Sequence, residues 1–368
     1  MNLREVYVTS TAVANGKADK MGIPISQMDF GRIDAKRELL DAHPVSIRRF
    51  LSTFQPPPNL RIQDFLDGRK SFVIGLKGTG KTALLLYVDR TEVENGSETE
   101  FVLFKSDFSE EDRRRIQNNA QYFVADDARG KNRFQQDFEN EWIMFLTQLL
   151  VQKLKGIPEY KSVPIIHRLA SFIHYLELQP VSRALSLFPN LKGGELLLKA
   201  GSSGFDAEFK GDIEFDSKKR TVAVKSAVDF LTNSMNAIPG GPRKIVIFVD
   251  ELEISYGDPA SFERDARLIR DLVVVVSRLN DRFRKRGASI RFIVAIRSEV
   301  LRTVAALGKE IYKDIEDLGV QISWHTAQHA GQHPLLSIVE SKIRLSEEMA
   351  GANGTKKCLA ILFPEKYI

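Results

Sequence analysis

The sequence predicts an α/β fold, a three-layer sandwich in which helices cover both faces of a mostly parallel sheet, with an inserted β-hairpin. Three observations support this. Short, predominantly apolar runs recur at 71–74, 101–104, 245–249 and 290–296. They lack the in–out alternation of a half-exposed strand and mark strands buried on both faces. Stretches with apolar residues at helical spacing separate them, as parallel crossovers require. A glycine-rich turn, Gly75 to Gly80, joins the first run to the first such stretch.

Each element can be justified in order. Residues 1–68 read as an N-terminal helical flank, with helices near 34–40 and 45–54; Pro56, Pro57 and Pro58 end the second. The core is expected over 69–325. After the strand at 71–74 and its turn, Thr82 to Tyr87 begin a helix, and 101–104 is a second strand. A helix over 135–154 shows a wide apolar face through Phe138, Trp142, Phe145, Leu149 and Val151. An insertion is expected at about 155–240, helical between prolines at first. There Phe205, Ala207, Phe209, Ile213 and Phe215 then alternate with Asp206, Glu208, Lys210, Asp212 and Glu214. That period of two predicts an antiparallel pair turning near Gly211. A helix at 224–238 precedes the strand at 245–249. Asp258 and Pro259 then cap a long helix that Gly287 stops, and strands follow at 290–296 and 320–322. Residues 326–368 read as a short helical tail.

Composition narrows the class without deciding it. At 368 residues, with 43% hydrophobic and 27% charged residues, the chain has room for one large domain with insertions or for two domains. It is neither disordered nor low-complexity in composition. The single cysteine, Cys358, forms no internal disulfide and no Cys-rich zinc site. The first residues lack the apolar region of a secretory signal, and runs such as Ala83 to Val88 fall far short of the ~20 residues that span a bilayer. A cytoplasmic chain without a membrane partner is the expectation.

Chemistry enters at Gly75-Leu76-Lys77-Gly78-Thr79-Gly80-Lys81-Thr82, which fits G-x-x-x-x-G-K-[ST]. Glycines let the backbone wrap tightly, so that several N–H groups and the positive end of the next helix face one anion. Lys81 then reaches the β- and γ-phosphates of a nucleotide, and the Thr82 hydroxyl becomes a Mg²⁺ ligand. The position between a strand and a helix is the context this motif needs. Gly75, Lys77, Gly78, Thr79, Gly80, Lys81, Thr82 and Ala83 form the candidate nucleotide-binding set. The strand at 245–249 ends in Asp250-Glu251. Ligands of open α/β sheets bind at the carboxyl ends of the strands. Asp250 there suits the Mg²⁺ water shell, and Glu251 can orient and deprotonate a water attacking the γ-phosphate.

These residues resemble the additional-strand, catalytic-glutamate class of P-loop ATPases, and within it the bacterial AAA-like and STAND-like ATPases. Gly75 to Thr82 match the Walker A loop and Ile245 to Glu251 match Walker B with its catalytic glutamate. Phe292 to Arg297 match the strand that ends in the polar sensor-1 residue. The resemblance covers about 65–325. It implies a sheet order of 5-1-4-3-2, ATP and Mg²⁺ as ligands, and Arg297 as a γ-phosphate sensor acting with Glu251 and Lys81. A looser similarity is to bacterial ATPases often encoded near phage-defence genes, in which Arg297 and Trp324 fall on equivalent strand ends. It implies a nucleotide-driven switch or regulator working as a homo-oligomer or with an effector protein. Only about 45 residues follow Trp324, so a short lid is expected; neither an arginine finger nor a sensor-2 arginine is assigned, and Arg344 is a guess for the latter. No N/T-K-x-D guanine-reading motif follows the loop.

Other patterns offer alternatives. Between Arg264 and Arg302, Lys and Arg outnumber Asp and Glu eleven to four. Arg282, Arg284, Lys285 and Arg286 close the long helix, where cations suit its negative end. They are also the candidate contact for nucleic acid. Asp206, Glu208 and Lys210 would share one strand face, the arrangement of a metal-dependent nuclease. His325, His329 and His333 lie four apart, a spacing that can hold zinc on a helix.

Overall fold

The apolar runs become strands that pair with one another. The computed structural model describes residues 24–32, 34–40, 44–126, 132–178, 189, 191–192, 194–200, 204–209, 211–241, 243–255, 257–307, 311–325 and 333–349. Five strands make one wholly parallel sheet: β1 (Phe72–Gly75), β2 (Glu98–Leu103), β3 (Ile245–Leu252), β4 (Ile290–Arg297) and β5 (Gly319–Gln321). Their order across the sheet is β5-β1-β4-β3-β2. In whole-chain numbering that is 11-1-10-9-2 rather than 5-1-4-3-2, because six short strands of two antiparallel sheets intervene between β2 and β3; within the parallel sheet alone it is 5-1-4-3-2.

Burial explains which strands were legible. Every residue of β1 is buried, as is all of β3 except Glu251 and all of β4 except Arg297. The edge strand β2 buries only Val102, so its first half, Glu98-Thr99-Glu100, carries the polar residues that an edge tolerates.

The chain divides into two units, one of residues 1–62, 79–87 and 322–368, the other of 63–78 and 88–321. The second contains the whole parallel sheet. Its core joins Phe72, Ile247, Val249 and Phe292 of the sheet to Trp142, Phe145 and Leu149 of the Glu139–Gly156 helix and to Ile269 and Val273 of the Pro259–Lys285 helix. The Trp142 indole N–H donates to the Leu268 carbonyl at 2.8 Å, joining these two helices. The long helix starts as its sequence dictates: the Asp258 carboxylate accepts the Ser261 N–H at 2.9 Å, and Pro259 follows. Gly287, at φ +68°, stands past its end.

The insertion differs from its expected form. Phe205–Phe209 is a short helix, and it directs Phe205 and Phe209 into an aromatic cluster with Phe172, Tyr175 and Phe230. Period-two alternation was a coincidence of a short amphipathic turn, so Asp206 and Glu208 share no strand face; Lys210 lies outside the described residues. The antiparallel structure lies on either side, in a four-stranded sheet of Leu191–Lys192, Glu195–Leu197, Thr221–Ala223 and Phe215–Asp216. A second hairpin, Gln121–Asp126 with Asn132–Asp137, stands where no strand was expected.

The first unit gathers the Pro44–Thr53 helix, the first half of the Lys81–Glu94 helix and the Pro334–Met349 helix. Phe54 stacks on Tyr87 with ring centroids 4.2 Å apart, and Lys342 Nζ donates to the Phe30 carbonyl at 2.6 Å.

Candidate functional site

β1 ends at Gly75, whose Cα partner on the neighbouring strand is Arg297. The loop leaves from there. Gly78 and Gly80 take φ of +82° and +92°, conformations that side chains with a Cβ rarely adopt, which is why the motif spends glycines at these positions. The Gly80 carbonyl accepts the Leu84 N–H at 2.9 Å, and the 14-residue helix begins at Lys81. Lys81 is buried, and Thr82 and Ala83 are half-buried in the first turn. Gly75, Lys77 and Gly78 fall in the second unit, and Thr79, Gly80, Lys81, Thr82 and Ala83 in the first. Within the first unit, the Trp324 indole N–H donates to the Thr79 carbonyl at 3.0 Å.

The second unit presents a distorted strand end. Val249 pairs with Val294, whereas Leu252 pairs with Ile296, so β3 carries one residue more than β4 over this interval. The bulge falls at Asp250-Glu251. Glu251 has φ +58°, one of two non-glycine residues with positive φ among those described. Such a conformation costs on the order of 1–3 kcal/mol, and bulges of this kind re-aim side chains beside active sites. Asp250 is buried, and its carboxylate accepts the Glu251 N–H at 2.7 Å. The Ser106 hydroxyl donates to the Glu251 carboxylate at 2.6 Å. Arg297 pairs with Glu253, which also takes Lys105 at 2.8 Å.

At the carboxyl edge of the sheet the fold therefore assembles Gly75, Asp250, Glu251 and Arg297, the last already engaged by Glu253. Sequence reasoning missed Lys105, Ser106 and Glu253. The available signal was position: polar residues directly after β2 and β3 must emerge at the same edge as the ends of β1 and β4.

Other expectations resolve differently. The basic stretch is not one surface patch, because Arg264, Arg267 and Arg270 are buried within the long helix. Arg264 joins Glu110 and Asp265, Arg270 forks onto Asp271, and Arg291 pairs with Glu92. Burial of a helix that packs against the sheet and several other elements overrides its charge count. At the helix end Arg284 and Lys285 pair with Asp281, and Arg286 is exposed. Arg344 lies on the Pro334–Met349 helix, 3.8 Å from Glu340. His333 precedes that helix, while His329 and Cys358 lie outside the described residues.

The carboxylates of Asp137, Glu139 and Asp271 come within 4.8 Å of one another, but Arg278 pairs with Glu139 and Arg270 with Asp271, so the cluster is largely compensated. A cavity of about 700 Å³ between Arg168, Asp212, Lys225 and Asp229 shares no lining residue with the strand ends. Among the described residues, no helix is long and apolar enough to cross a membrane. No family model matches the chain, and no curated protein or solved structure matches it either.

Proposed function

We propose that this chain is a Mg²⁺-dependent ATPase of the additional-strand, catalytic-glutamate class, its sheet covered by helices on both faces. In this reading its nucleotide cycle drives a switch of shape or assembly. The observation that carries it is the bulge at Asp250-Glu251, which exposes a left-handed, hydroxyl-held glutamate at the sheet edge from which a glycine-turned phosphate loop departs.

The chemistry follows from the donor types. Backbone N–H groups of the loop and the start of its helix neutralise phosphate oxygens, and Lys81 adds a full charge at the β- and γ-positions. Thr82 and Asp250 offer the hard oxygen donors that suit Mg²⁺, which when bound would supply positive charge to offset that of the phosphates. Glu251 accepts the proton of a water whose oxygen attacks the γ-phosphorus. That oxygen forms the new P–O bond as the bond to the β-phosphate oxygen breaks, leaving ADP and inorganic phosphate. Arg297, released from Glu253, would read the γ-phosphate.

Turnover and binding separate these roles. Glu251→Gln should retain ATP binding and lose turnover by about 100-fold or more, the scale of a missing general base. Lys81→Ala should lose binding. A Glu251→Gln variant that hydrolyses ATP at the parental rate would remove the catalytic assignment.

A homo-oligomer or a separate effector, in a defence setting or otherwise, is the partner this reading favours. Nucleic acid is the alternative partner, through Arg282, Arg284, Lys285 and Arg286, because the last three of these are exposed. Turnover stimulated by DNA or RNA and suppressed by salt would favour it.

A further inference from the structure

The hydrogen bond between Trp324 and the phosphate loop links two stretches far apart in the chain. Trp324 follows β5, the strand that flanks β1 on the side opposite β4 and β3. Its indole Nε1–H donates to the carbonyl of Thr79. The residue before it is anchored as well, since the Ser323 N–H donates to the Asn59 carboxamide oxygen at 3.1 Å. Asn59 itself lies within a turn closed by the Leu60 N–H on the Pro57 carbonyl at 3.0 Å.

A trans peptide points its C=O and N–H in opposite directions. Fixing the Thr79 carbonyl against Trp324 therefore fixes the Gly80 N–H to point away from it. Gly80, at φ +92° with open space where a Cβ would stand, lacks the steric restraint that would otherwise hold this peptide plane. The plane between Thr79 and Gly80, like those beside Gly78, is thus weakly held by local sterics, and here the Trp324 indole holds it.

We infer that Trp324 is a positioning residue of the phosphate loop: its indole N–H sets the Thr79–Gly80 peptide so that the Gly80 N–H is presented to the bound nucleotide's phosphates. The inference rests on the ATPase reading and adds to it a coupling between nucleotide binding and the segment that follows β5. A group that preorganises a donor made equally to substrate and transition state affects binding and leaves the chemical step alone.

Trp324→Phe tests this, because it keeps the aromatic bulk and removes only the N–H. ATP and ADP affinity and steady-state turnover would be measured on the full chain, with Asn59→Ala as a second variant that loosens the anchor. The expected result is a KM and an ADP dissociation constant raised about three- to tenfold, the worth of one neutral hydrogen bond, with kcat and the melting temperature close to wild type. Asn59→Ala should shift KM the same way by less. Nucleotide should change the tryptophan emission of the wild type, and the change should vanish in Trp324→Phe, leaving Trp142 silent. Wild-type nucleotide binding by Trp324→Phe would overturn the inference while the ATPase reading stood; failure of the wild type to bind ATP would overturn both.

Discussion

Glu251 and Glu141 show two ways in which a single acidic residue departs from ordinary behaviour. Glu251 was legible as a carboxylate after a strand, but its left-handed backbone and its Ser106 donor were not, because they arise from the register of β3 against β4 and from a residue just past the end of β2. Glu141 was not legible at all, since an acid in a helix normally faces water. Here it is buried, one carboxylate oxygen has no hydrogen-bond partner, and burial, aided by the charges of Asp137 and Asp271, pushes its pKa to about 8. The folded chain therefore keeps a proton that the unfolded chain releases near 4.5. Stability from this group is full below that value, falls as pH rises toward 8, and is flat beyond. Glu141→Gln should abolish that slope and stabilise the protein by several kcal/mol, on the order of 4, at pH 7.5. Urea unfolding at pH 5.5 and 7.5 would check it; equal slopes for both proteins would exclude the assignment.

The Pro259–Lys285 helix carries the strongest lesson at the scale of an element. Its start, proline and glycine stop could be read directly, because caps are local chemistry. Its charged residues could not, since whether an arginine is solvated depends on what packs against it. Arg270 is fully buried, forks onto Asp271 at 2.7 and 2.9 Å, and donates to the Leu307 carbonyl at 3.1 Å and the Gln136 carbonyl at 3.2 Å. It thereby ties the helix to the end of the Asn132–Asp137 strand and to the chain beyond the Ser298–Ala305 helix. Removing one partner of a buried pair strands the other. Arg270→Ala should cost about 3–5 kcal/mol in chemical denaturation, against well under 1 kcal/mol for Arg284→Ala at the exposed end. Similar losses at the two positions would mean that Arg270 is not the junction described here.

For the whole molecule, the glycine loop after β1 is covalently continuous but divided between two compact units, with Gly78 closing its part of one and Thr79 opening its part of the other. A ligand that binds the folded chain alone stabilises it by mass action, by about 2.7 kcal/mol at a hundredfold excess over its dissociation constant. ATP with Mg²⁺ should therefore raise the melting temperature, and Lys81→Ala should abolish the rise. If the cycle drives assembly, sedimentation of Glu251→Gln with ATP should also show a larger species than the same protein with ADP. Identical profiles with ATP and ADP would restrict the switch to a change within one chain.

The sequence by itself determined the parallel strands, the glycine turn and the carboxylate pair. Each depends on residues adjacent in the chain: continuous apolar runs, left-handed glycines, and charges at a strand's end. Tertiary structure alone decided that Phe205–Phe209 coils into an aromatic cluster, that three arginines of a basic helix are buried, and that Ser106 meets Glu251, Lys105 meets Glu253 and Trp324 meets Thr79, each well over a hundred positions away. Local propensity and charge are properties of a segment. Burial and pairing are properties of what that segment meets, and chain order alone does not contain them.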